Sequence, residues 1–229
     1  MTQPKSKNRV VIERKVNAVK ATAAVFGAYA GLLGMEHGYF ETLQGNLATK
    51  SLKIMAAGFE LPFPFGHEPA MTVIPNFLAT GIVAMLVGLA IIVWSALFVQ
   101  KKHGAAILLL LSIALLFFGG GFGPISLLII ACIGAGRIDK PLKWWQRCLP
   151  GSLSRVLARL WYWSFAAALL WVPLEFVLGQ IFHLRNDHSQ TLTNLNLLLC
   201  YPMLGLFALT LIAGFAHEID KQVGIKTWG

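Results

Sequence analysis

Five stretches without a single charged side chain, 21–35, 77–99, 105–118, 160–172 and 197–216, alternate along the chain with polar segments. A helix needs about 20 apolar residues to cross roughly 30 Å of hydrocarbon, and several of these stretches reach that length once their flanks are included. Helices satisfy their own backbone polar groups in lipid. The pattern therefore predicts an all-α integral membrane protein, a bundle of six transmembrane helices over about 20–39, 71–99, 103–120, 121–138, 157–182 and 194–216. A basic segment, 1–19, precedes the single domain 20–216, a long first outer loop spans 40–70, and a tail, 217–229, follows.

The third and fourth helices are expected as a short Gly-rich hairpin, because "FFGGGFGPI" interrupts the apolar run 105–136. Three adjacent glycines and a Gly-Pro pair disfavour a continuous helix. At about 18 residues each, the two halves reach about 27 Å, so they either span with local thinning of the bilayer or re-enter.

Charge chooses between the hairpin and one long helix. With the hairpin, both termini share a side that holds 16 of the 19 Lys and Arg, and the other side holds Lys50, Lys53 and Arg185. One continuous helix would split them 9 to 10. The positive-inside rule selects the hairpin, with both termini cytoplasmic. The net charge of +9 is then an orientation signal and a contact for anionic lipids at the cytoplasmic face, not a nucleic-acid footprint. In "RIDKPLKWWQRCLPGSLSR", Trp144 and Trp145 suit the membrane interface, and Ser152 is the expected N-cap of the fifth helix.

Composition agrees. Of 229 residues, 56% are hydrophobic and 13% charged, against about 25% charged in soluble domains, which leaves no room for a soluble second domain. The first apolar run lacks a convincing cleavage site and reads as an uncleaved helix. Cys132, Cys148 and Cys200 have no CxxC spacing and read as packing residues. The reading places the chain in the cell (cytoplasmic) membrane of a bacterium, the lack of an N-x-[ST] sequon being compatible with that source.

Candidate chemistry gathers on the outer side. In "GLLGMEHGYFETLQGN", Gly27, Gly31, Gly34 and Gly38 form a narrow small-residue stripe, the mark of close helix packing in lipid. Glu36 points about 160° away from Gly34. His37 and Glu41 are four apart and share a face nearer the stripe, provided the helix continues past Gly38. "FGHEPAMTVIPN" adds His67, Glu68 and Asn76 at the head of the second helix, where Glu68 suits the helix N-terminus. Glu175 lies within an apolar span two residues after Pro173, where a carboxylate needs a proton, a partner or water. His183 and His188 read as loop residues, and Thr193 or Asn194 as the N-cap of the sixth helix. Residues 47–55, "LATKSLKIM", are expected as a short amphipathic helix on the outer interface, within a loop that either lids a pocket or merely connects.

The candidate pocket is thus Glu36, His37, Glu41, His67, Glu68, Asn76 and Glu175, with no cofactor or metal assigned. No HExxH, Walker loop or GxSxG occurs, so no catalytic residue is named and the reading leans away from an enzyme. First comes a carrier or binding subunit for a small solute or cation, with a polar pocket open to the outer side. Second is an accessory or scaffold subunit acting through its glycine stripe on a membrane-protein partner or a second copy of itself. Third is a membrane enzyme with an outer His/carboxylate metal site. Six helices, a small-xxx-small first helix and a long first outer loop are similar in architecture to the substrate-binding subunits of energy-coupling-factor vitamin transporters, without a shared motif.

Overall fold

The structure, a computed structural model, describes residues 17–55, 69–185 and 190–226, and the side chains of 175, 176, 178–201 and 223–226 lie outside that description. Its elements are α1 (Ala18–Leu43), β1 (Lys53–Met55), β2 (Pro69–Met71), α2 (Phe77–Leu97), α3 (Gly104–Phe117), α4 (Phe122–Ala135), α5 (Lys143–Cys148), α6 (Gly151–Arg185) and α7 (Gln190–Lys226). Within these, Ala18–Leu43, Phe77–Leu97, Gly151–Leu174 and Pro202–Gln222 are long and apolar enough to cross a membrane. Large apolar side chains point outward from the bundle: Leu110 is 65% exposed, Leu170 69% and Trp163 77%. Such a surface is at home only in apolar surroundings, and it fits a multi-pass membrane protein.

Helix α1 is the central post. It packs against α2, α4 and α7, while α6 lies against α7, and α3 against α2 and α4. The shared core contains Phe26, Leu108, Leu115, Leu127, Phe207 and Phe215, all buried, with the Phe26 and Phe207 rings 4.8 Å apart.

Glycines set how closely α1 and α2 approach. A Cβ on Gly31 would lie 2.6 Å from the carbonyl oxygen of Gly88, and one on Gly38 would lie 2.6 Å from that of Gly81. The two pairs run antiparallel and are seven residues apart on both helices, which is close to two turns. Gly27 meets Ser95 of α2, whereas Gly34 faces away from this seam and holds Leu115 of α3, 2.7 Å from where its Cβ would be. The four glycines thus serve two neighbours. Gly81 and Gly88 complete the seam, although nothing in their local sequence marks them out from the rest of an apolar run.

Several boundaries differ from the sequence reading. Residues 47–55 form no helix; β1 instead pairs antiparallel with β2, Ile54 opposite Ala70. The gain is a partner for backbone groups that a lone short helix would leave open at its ends. The second helix starts at Phe77 rather than 71, because Pro69–Met71 is spent in β2; Glu68 lies outside the described residues. The head of the helix is Asn76, whose side chain accepts from the Ala79 N–H at 3.0 Å and donates to Asn46 Oδ1 at 2.6 Å. Replacing Asn76 with alanine removes both bonds and is expected to cost about 1–2 kcal/mol, read as a lower unfolding midpoint in detergent; an unchanged midpoint would refute the role.

Ser152 is not an N-cap, since α6 already begins at Gly151, with Ser154 N–H bonded to Pro150 O at 2.9 Å. Thr193 and Asn194 likewise fall inside α7, which begins at Gln190. Helix α6 runs through Pro173 without a break in its assignment. Helices α3 and α4 have 14 residues each, or about 21 Å, shorter than the sequence suggested because residues 118–121 form a tight turn.

That turn is nonhelical backbone between two apolar helices, so its polar groups need partners. The preceding segment supplies them. Gly119 N–H donates to Met71 O at 2.8 Å, and Val73 N–H donates to Phe117 O at 2.9 Å. Thr80 Oγ1 of α2 donates to Phe118 O at 3.0 Å and is hydrogen-bonded to Thr72 Oγ1 at 2.5 Å. The β1–β2 pair, the head of α2 and the α3–α4 turn therefore form one hydrogen-bonded cap.

Candidate functional site beneath the glycine turn

Helix α1 continues past Gly38 to Leu43 and closes at Gln44, whose backbone N–H bonds back to Glu41 O. The extra turn puts His37 and Glu41 on one face, four residues apart. That face points inward: His37 is 4% exposed and Glu41 is fully buried. The glycine turn lies across both. A Cβ on Gly121 would sit 2.5 Å from His37 Cε1, and a Cβ on Gly119 would collide with both carboxyl oxygens of Glu41. Gly119 and Gly121 have φ of +94° and +76°, a region glycine enters freely. Close approach and backbone conformation thus both require glycine here.

Neither carboxyl oxygen of Glu41 has a hydrogen-bond partner among the described residues. Buried polar groups are nearly always paired, and a lone ionised carboxylate at membrane depth is costly. Such a group is balanced by a proton, by a cation that enters, or by water. The neighbouring elements bring little charge of their own. Helices α2, α3 and α4 contain no Asp, Glu, Lys, Arg or His. Cys132 of α4 is half-buried and lies 3.9 Å from Ser112 of α3, and Lys53 of β1 is exposed. The site can hold or pass one positive charge. It has no nucleophile aligned with a base, and no three of His, Cys, Asp and Glu converge to hold a metal among the described residues.

Of the other candidate residues, the described ones, Glu36 and Asn76, stand elsewhere. Glu36 is half-buried on a different face of α1. Asn76 caps α2 and bonds to Asn46. His67 and Glu68 lie outside the described residues, and so do the side chains of Glu175, His183 and His188. The sequence named His37 and Glu41 among seven candidates, without what lies against these two. The covering glycines, 78 residues further on from Glu41 in the case of Gly119, carry no local sign of that contact; the only signal was their refusal to continue a helix.

A second polar cluster occupies the opposite, basic end of the bundle. Asn17 caps α1, accepting from Lys20 N–H at 2.9 Å, and its Nδ2 donates to Asp139 Oδ1 at 3.1 Å. Glu218 of α7 accepts from Ala18 N–H at 2.7 Å, where the α1 N-terminus favours negative charge, and pairs with Lys221 at 3.4 Å. No protein-family model matches the chain, and no curated protein or solved structure is significantly similar to it, so the architectural analogy to vitamin-transporter subunits gains no support.

Proposed function

We propose that the protein is a membrane carrier or binding subunit for a proton or small cation, with Glu41 as the charge-accepting group and His37 beside it. The observation that carries this reading is the partnerless, fully buried carboxyl of Glu41. A protein retains an intramembrane carboxyl at a cost in stability, and the usual return is a pathway or binding site. The glycine turn covers His37 and Glu41 in this conformation, so on this reading exchange with water requires the turn to lift from α1. That movement would break the hydrogen bonds from Thr80 to Phe118 and from Gly119 to Met71.

The scaffold alternative drew on the glycine stripe as a surface for a partner. The contacts of Gly27, Gly31, Gly34 and Gly38 lie within the chain, and they lend that reading no support. An enzyme reading needs metal-ligating or nucleophilic groups that the described residues do not bring together.

Glu41→Gln keeps the shape of the side chain and removes its capacity to ionise. Reconstituted into liposomes holding a pH-sensitive dye, and assayed in parallel for Na⁺ or K⁺ uptake, the wild type is expected to move or bind charge with a dependence on pH. The variant is expected to lose at least about tenfold of that activity. Glu41→Leu should abolish it as well while leaving the fold equally stable or more stable, by roughly 1–4 kcal/mol, because a costly buried polar group is replaced by an apolar one. Wild-type activity in Glu41→Gln would overturn the proposal, and so would the absence of any proton or cation response in the wild type.

A further inference from the structure

At the basic end of the bundle, a cavity of about 260 Å³ opens between the start of α1, the α4–α5 connection and the last turns of α7. Asn17, Arg137, Asp139, Lys140, Glu218 and Gln222 contribute to its walls. Two cations and two acids line it, but their commitments are unequal. Asp139 accepts from Asn17, and Glu218 accepts from Ala18 N–H and from Lys221. The guanidinium of Arg137 and the ammonium of Lys140 make no hydrogen bond or ion pair among the described residues. With Lys221 beside Glu218 the formal charges around the cavity sum to +1, and the donors without a partner among the described residues are those of Arg137 and Lys140.

The backbone that carries the two cations is held in a turn, while both side chains are exposed. Arg137 N–H bonds Gly134 O at 2.9 Å, Ile138 N–H bonds Ala135 O at 3.4 Å, and Lys140 N–H bonds Arg137 O at 3.2 Å. Asp139, with φ of 55°, takes the left-handed conformation that Asp tolerates better than most residues, and its bond to Asn17 pins the turn to α1. Ile138 and Leu142 on either side are buried. Next in the chain, α5 exposes Trp144 at 64% and packs Trp145 on Phe215 with ring centroids 4.9 Å apart, an arrangement suited to the depth of lipid headgroups.

We propose that this cavity binds a phosphate group presented at the membrane surface, held by Arg137 and Lys140 at the base of α1. Arg offers a planar fork of donors to phosphate oxygens, and Lys adds a point charge. An anionic phospholipid headgroup and a soluble phosphate ester share this chemistry. The site is separate from Glu41 and stands whether or not Glu41 carries charge.

The test uses the full-length protein in phosphatidylcholine nanodiscs doped with phosphatidylglycerol, with native mass spectrometry counting the lipids retained. The Arg137→Gln/Lys140→Gln variant is compared with Arg155→Gln/Arg159→Gln, which removes the same charge from exposed positions on α6. Wild type and control are expected to retain one tightly held phosphatidylglycerol, and the cavity variant to hold it at least about tenfold less tightly. Dioctanoyl phosphatidylglycerol competing while glycerol 3-phosphate does not identifies a lipid source; equal competition identifies a soluble phosphate ester. Equal loss of phosphatidylglycerol in both double variants would overturn the proposal, as would its full retention in the cavity variant. If the double variant does not fold, Lys140→Gln alone, at an exposed position, is read against Arg159→Gln in the same way.

Discussion

Gly38→Leu is expected to separate α1 from α2 and abolish stable folding. The space next to Gly38 is filled by atoms that cannot step aside: Gly81 O would lie 2.6 Å from the new Cβ, and Met85 N 2.9 Å from it. Both are backbone atoms within a helix. Overpacking against side chains costs about 1–3 kcal/mol, and against two backbone atoms of α2 the cost is expected to exceed that range. Gly38→Ala should already fall within it. Gly205→Ala is the control, because nothing lies within 4 Å of its Cβ position. There the gain in helix propensity should leave stability unchanged or raise it by up to about 1 kcal/mol. Thermal unfolding in detergent, with the yield of monodisperse protein, measures both. A Gly38→Leu protein as stable as the Gly205→Ala protein would show that the α1–α2 seam is not the tight contact described.

Gly119→Ala is the second large effect. Alanine at φ of +94° stores about 1–3 kcal/mol of backbone strain, and its methyl would collide with the Glu41 carboxyl. The expected total is roughly 2–5 kcal/mol of destabilisation. The two causes can be separated. Combining Gly119→Ala with Glu41→Ala removes the collision but leaves the strain, so the double variant should recover part of the loss, with a coupling of about 0.5–3 kcal/mol. Additive losses in a denaturant-unfolding cycle would mean that turn and carboxyl do not touch, and the described site would lose its roof.

How far the sequence disclosed this architecture depends on the range of the interaction. The apolar runs gave the long helices, and "GGG" gave the break between α3 and α4, because both are local consequences of side-chain chemistry. His37 and Glu41 could be placed on one face from spacing alone, conditional on a helix that passes Gly38, and α1 does pass it. The β1–β2 pair was hidden because a two-stranded ribbon is decided by its partner strand and by the turn it caps, neither of which is nearby in sequence. Glu36 looked as promising as Glu41 for the same reason: periodicity orients a side chain relative to its own helix, but says nothing about which neighbour stands opposite. Gly81 and Gly88 were invisible within an apolar run that had no charged residue to set its phase. At the basic end, Asn17, Asp139 and Glu218 come from three distant parts of the chain, so no motif unites them.

Among the described residues, the partners of the α3–α4 turn precede it in the chain. Met71 and Thr80 hold its backbone, while His37 and Glu41 fill the hollows of its glycines. During synthesis, chains emerge N-terminal end first, so the receptor for this turn is complete before residues 104–135 leave the ribosome. Two helices of 14 residues are short for independent insertion into a bilayer, but a waiting cradle turns insertion into docking. The expected result is an ordered biogenesis: a chain truncated shortly after Ala135 and released from the ribosome into membranes should already protect the turn from protease, with α6 and α7 closing around a post that is already standing.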